Sequence, residues 1–161
     1  MRSIRGGWWF ALVITVLSAS PAFAAEKSVN LSLFSPVSLV KPEDGVSAFR
    51  FNLLYGRNTS VKGVDLGLVN HTTTLSSGFQ WGFVNVNDGN FKGIQLSAIN
   101  YDKGTTDGLQ WGTFNYAGTA GGLQLAFLNY AKSLQGIQVG IVNIAKSGGR
   151  FPVMVIANWK K

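Results

Sequence analysis

The chain has 161 residues, 14 Lys and Arg against 7 Asp and Glu, 46% apolar residues and only 13% charged ones. That is a single domain's worth of sequence, too apolar for a disordered chain and too poor in charge for a coiled coil. With no Cys and one His, disulfides, thiolate chemistry, Cys-based zinc sites and His-rich metal sites are excluded.

Residues 1–24 read as a secretory signal peptide. Arg2 and Arg5 start it. Trp8 to Leu17 forms an apolar run too short to span a bilayer, and Ala22-Phe23-Ala24 is a small-x-small cleavage site. The expected mature chain, residues 25–161, is one β-repeat domain. Removing Arg2 and Arg5 lowers the net charge from +7 to +5.

The remaining chain repeats an eight-residue phrase. Copies begin at Gly63, Gly78, Gly93, Gly108, Gly122 and Gly136 and end at Asn70, Asn85, Asn100, Asn115, Asn129 and Asn143. The Asn residues are spaced 15, 15, 15, 14 and 14 apart. A degenerate copy, Ala48 to Tyr55, lies upstream, and another ends at Asn158. A fixed period signals repeated supersecondary units, and this one is too short for a helix pair.

With the first Gly as position 1, positions 2, 4 and 6 are apolar, position 3 is Gln and position 5 is small. This period-2 alternation predicts a strand. Position 3 holds Gln80, Gln95, Gln110, Gln124 and Gln138, preceded by Arg50 and Asp65 in the same column. Turn-like segments such as Asn87-Asp88-Gly89-Asn90 separate the phrases. They predict hairpin loops, and hence an all-β antiparallel up-and-down meander of eight or nine strands closed as a small barrel. In that register each Gln lies over a Gly of the next strand, Gln95 over Gly82 for example. The alternative is a parallel β-solenoid with one coil per 15-residue repeat, in which the Gln and Asn columns stack directly and Arg50 meets Asp65.

Strands polar on one face and apolar on the other match an outer-membrane barrel, with Tyr101, Tyr116 and Tyr130 at alternating rims. Position 7 fits less well, being apolar although it falls on the Gln face (Val69, Val84, Ile99, Phe114).

The repeated G-[LIF]-Q-[LWV]-G-x-[VIF]-N phrase resembles that of bacterial surface-repeat proteins, exported chains built of tandem GLQLGLVN units. The closing Phe151 to Trp159 segment resembles the end of such chains. The resemblance implies an exported protein of the outer membrane or cell surface and carries no activity onto individual residues.

Catalysis needs a base or nucleophile held by partners. His71, beside Thr72, Thr73 and Thr74, reads as an exposed loop residue. Asn87, Asp88 and Asn90 come nearest to a Ca²⁺ cage but read as a turn. No catalytic, cofactor or metal residue is assigned; the Gln and Asn columns are expected to be structural, the former as an internal hydrogen-bonded network. The basic balance, with Lys146, Arg150, Lys160 and Lys161 near the end, points toward outer-membrane lipid or lipopolysaccharide phosphates and away from nucleic acid. The expected function is a non-enzymatic structural or interaction role at the outer membrane or surface. The alternative is a soluble periplasmic protein binding a ligand on its Gln-lined face.

Overall fold

The structure, a computed structural model, describes residues 26–161; the expected signal peptide lies outside them. The chain forms a β-solenoid of about eight turns. Its strands are β1 (Glu26–Phe34), β2 (Val37–Ser38), β3 (Gly45–Asn87), β4 (Asn90–Leu96), β5 (Ile99–Trp111), β6 (Phe114–Ala120), β7 (Leu123–Leu134), β8 (Ile137–Ser147) and β9 (Val153–Trp159). All nine belong to one sheet in the order β2-β1-β3-β4-β5-β6-β7-β8-β9. The 43 residues of β3 wind through nearly three coils without a break in strand pairing.

The fold is therefore not a barrel or an antiparallel meander. The repeats pair in parallel and in register: Gly78 with Gly93, Gln80 with Gln95, Gln95 with Gln110, Gln124 with Gln138. The segments expected to be hairpin loops are coil corners flanked by more strand; Ser76 pairs with Phe91, and Thr106 with Ala120. Identical amides explain the choice. Stacked in register, the Asn side chains and most of the Gln side chains donate to the side-chain oxygen of an adjacent coil, Gln110 donating instead to Asp102, and buried amides are normally paired. The antiparallel register would set Gln against Gly and leave those groups without partners. Antiparallel strands occur only at the two ends, where β2 covers β1 and β9 covers β8. β9 thus covers the C-terminal edge along most of its length, while the two-residue β2 covers only the end of β1 at Ser32 and Phe34.

Four positions of each repeat point inward: 3, 8, 10 and 14. The Gln column is buried throughout, as are the Asn residues of position 8. Position 10 runs Thr72, Asn87, Asp102, Ala117, Ala131, Ala145, and position 14 runs Val46, Val61, Ser76, Phe91, Thr106, Ala120, Leu134. Most other large apolar side chains are outside. The expected polar-inside, apolar-outside arrangement is present, wound as a solenoid.

Position 7 now makes sense. The chain bends between positions 5 and 6, seen as the breaks after Leu96 and Trp111. The bend resets the alternation, so position 7 faces outward although it shares the parity of the Gln column. Residues 102 and 119 bracket the place where the spacing shortens from 15 to 14: Asp102 pairs with Ala117 and Thr105 with Thr119, a shift of one residue at a corner. The interior columns stay aligned.

The position-1 glycines make another corner. Gly63, Gly78, Gly93 and Gly108 have φ of 103, 110, 134 and 135°. This is a region L side chains rarely adopt. Gly82 and Gly112, at position 5, are small for a different reason from the one expected. No Gln lies over them. A Cβ on Gly82 would sit 2.5 Å from the Gly67 carbonyl oxygen and 2.7 Å from Asn70 Nδ2. On Gly112 it would run into the Ser97 carbonyl and approach Asn100 Nδ2 at 3.2 Å.

Candidate functional site: an axial apolar groove

The asparagine column shapes the outer surface. Asn100 Nδ2 donates to the Trp111 carbonyl at 3.1 Å and to Asn115 Oδ1 at 2.9 Å. Asn70 does the same to Trp81 and Asn85, and Asn129 to Val139 and Asn143. Each Asn thus holds the backbone of the next coil at position 4, just before the bend. The side chains of positions 4 and 6 splay outward on either side of a small residue at position 5.

Stacked along the solenoid, these bends make a groove parallel to its axis. Its floor is Gly67, Gly82, Ser97, Gly112, Ala126 and Gly140. One wall carries Phe51, Trp81, Leu96, Trp111, Leu125 and Val139; the other carries Leu53, Leu68, Phe83, then the smaller Ala98 and Thr113, then Phe127 and Ile141. Three stretches of about 390, 550 and 510 Å³ follow one another from the N-terminal to the C-terminal end. Six coil spacings separate Phe51 from Val139, a length of about 29 Å at roughly 4.8 Å per spacing. Ile156 of β9 stands at the far end, opposite Gly140. Trp111 is 58% exposed and Phe127 63%. Monomeric soluble proteins rarely expose so large a contiguous apolar surface without a binding role.

The polar surface lies beyond the groove's second wall. Position 9 carries Tyr101, Tyr116 and Tyr130, stacked with ring centroids 4.5 and 5.2 Å apart. They stand on one face of the solenoid, not at alternating rims. Lys103, Lys132 and Lys146 follow at position 11, all exposed. The charge is uneven along the axis. Between residues 26 and 107 seven basic residues offset seven acidic ones; between 108 and 161 stand Lys132, Lys146, Arg150, Lys160 and Lys161 with no Asp or Glu.

His71 is not a free loop residue. Its Nδ1 lies 2.8 Å from the Tyr55 hydroxyl and its Nε2 2.9 Å from Asp88 Oδ2. Lys103 Nζ bonds the other Asp88 oxygen at 2.7 Å. Both ring nitrogens are thus engaged, one by a hydroxyl and one by a carboxylate. Lys103, then burial working against it, then His71 set the Asp88 carboxyl, and the net effect lowers its pKa. The spacings of 16, 17 and 15 residues put these four side chains on successive coils, so they strap the outside of the solenoid together. Only the repeat register, unknown from composition or motif, brings them into contact.

Arg50 forms a buried pair with Asp65, Nε to Oδ1 and Nη2 to Oδ2, both at 2.7 Å. Asp102 is also buried. It accepts from Asn87, Gln95, Thr106 and Gln110, yet burial dominates and lifts its pKa to about 6. Asn87 faces inward to this cluster, whereas Asp88 and Asn90 lie outside it. Among the described residues no group of three or more His, Asp or Glu is arranged to hold a metal ion.

Fold and groove together define the class: a β-solenoid with an amide-filled interior and an apolar exterior groove. No family model, curated protein or solved structure matches the chain.

Proposed function

We propose that the protein is a non-enzymatic, exported repeat protein of the bacterial outer membrane or cell surface, whose role is interaction through its apolar exterior. The axial groove is the observation that carries this reading. Large side chains that would normally fill a core are turned outward in stacked columns, and the interior is satisfied by amides instead. The signal-like segment and the resemblance to surface-repeat proteins support export. The Gln column is buried, so it offers no surface to a soluble ligand and nothing favours the periplasmic ligand-binding alternative.

Cell fractionation tests the reading. The protein is expected in the outer-membrane pellet after a carbonate wash, with its N-terminus at Ala25 by intact mass. Recovery as a freely soluble periplasmic protein overturns the proposal.

A further inference from the structure

We propose that the groove seats an acyl chain of an anionic membrane lipid, with the lipid headgroup at the C-terminal, cationic end of the solenoid. This rests on the surface-interaction reading and names its partner. Three features support it. The groove is long and open, with a small-residue floor; its two ends are apolar, and Ser97 and Thr113 add hydroxyls in the middle stretch between Trp81 and Trp111. An unbranched hydrocarbon chain can lie along such a trough for its whole length.

Charge supplies the second feature. Every charged side chain in residues 108–161 is positive. Lys160 lies four residues along the chain from Ile156, within about 13 Å by strand rise. Arg150 is joined to this end by its backbone N–H, which donates to the Trp159 carbonyl at 2.8 Å. Clustered Lys and Arg beside an apolar surface attract anionic headgroups.

The third is Ile156. It is the one non-glycine with positive φ among the described residues, at 69°, and 76% of its surface is exposed. A β-branched side chain in that conformation is strained. Strain of this kind clusters at ligand clamps. Here it turns an apolar side chain into the mouth of the groove. The Tyr101–Tyr116–Tyr130 stack and the lysines beyond it match the aromatic and basic residues that settle at a membrane interface.

The test uses the purified mature chain with Trp81→Phe and Trp159→Phe, leaving Trp111 in the groove wall as the fluorophore. Vesicles of phosphatidylcholine, alone or mixed with phosphatidylglycerol, carry brominated acyl chains that quench tryptophan on contact. Anionic vesicles are expected to quench Trp111 at least about twofold and neutral vesicles far less. Replacing Lys132, Lys146, Lys160 and Lys161 by Glu is expected to weaken vesicle binding by about a hundredfold or more, while Lys27→Glu with Lys41→Glu leaves it nearly unchanged. Phe127→Ser is expected to reduce quenching while the circular dichroism spectrum is kept. Binding to anionic vesicles without quenching of Trp111 means surface adsorption only and overturns the groove assignment. Equal binding to neutral vesicles overturns the cationic headgroup site. A stable dimer that ignores all vesicles shows that a second copy covers the face and overturns the proposal. Outer-membrane recovery from cells combined with any of these negative results defeats this inference while leaving the surface-protein reading intact.

Discussion

The coils before and after residue 107 share one backbone path but fill it differently. In the first set the interior holds Arg50, Asp65, Asn58, Asn87 and Asp102. In the second, positions 10 and 14 shrink to Ala117, Ala120, Ala131, Leu134 and Ala145, a small apolar cluster. The Asn column and position 3 run through both. The difference teaches that the Asn column and the glycine corners specify the coil, while position 3 accepts an Arg–Asp pair in place of Gln and position 10 accepts either polar side chains or Ala. It also leaves the two sets with different vulnerabilities.

The largest expected effect is in the first set. Arg50→Ala leaves the Asp65 carboxylate buried without its cation and is expected to cost about 3–5 kcal/mol in chemical unfolding. Gly112→Val comes next. Its side chain would press on the Ser97 carbonyl, a backbone atom that cannot step aside, at a cost of about 1–3 kcal/mol or more. Thr113→Val, one residue on and facing out, is expected to stay near the parent. Asn100→Ala and Asn129→Ala compare the two sets directly. Each leaves a position-4 carbonyl and a neighbouring Asn short of a donor, and each is expected to cost about 1–3 kcal/mol. Equal losses support a common asparagine column; a much smaller loss at Asn129 means the apolar coils do not depend on it.

Acidity should separate the two sets as well. The folded Asp102 pKa of about 6 lies above the ordinary value of 3.8. The group therefore binds its proton more tightly when folded. Its contribution to stability is full below 3.8 and is lost as pH rises through about 6. Asp88 works the other way: its lowered pKa gives stability above the ordinary carboxylate range that is lost as pH falls. Residues 108–161 contain no Asp, Glu or His. Hydrogen exchange between pH 4 and 7, corrected for intrinsic rates, is thus expected to show pH-dependent protection around β4 and β5 and little change in β8. Asp102→Asn is expected to flatten the response of the first set between 4 and 6. The smallest effect expected is Ile156→Gly. Relief of the left-handed conformation opposes the added chain entropy, leaving the variant between neutral and about 1 kcal/mol more stable.

The repeat and the strand character of each phrase were legible in the sequence, because identical residues at a fixed spacing show themselves without coordinates; the Gln column was read as an internal network, but the burial of the Asn column was not foreseen. The direction of pairing was not. Gln80 against Gln95 and Gln95 against Gly82 both satisfy a period-2 pattern, and only the hydrogen-bonding capacity of stacked amides separates them. The groove was hidden for a related reason. Alternation assigns position 7 to the Gln face unless the chain bends, and the bend depends on Asn side chains reaching the backbone of the next coil. The strap from Tyr55 through His71 and Asp88 to Lys103 depends on that same register, so His71 read as solitary.

The two amide columns point in opposite directions. Along the Asn column each side chain donates toward the C-terminus, from Asn52 to Asn70 and onward to Asn143. Along the Gln column donation runs toward the N-terminus, from Gln138 to Gln124 to Gln110 and from Gln95 to Gln80 to Asp65. Amide dipoles of about 3.5 D aligned in a row would add up to a macroscopic field. Here one row opposes the other, so the stacked side-chain dipoles largely cancel over the length of the rod. The electrical polarity of the molecule is then left to its surface lysines and arginines, and can be re-aimed by substitution there without disturbing a single interior hydrogen bond.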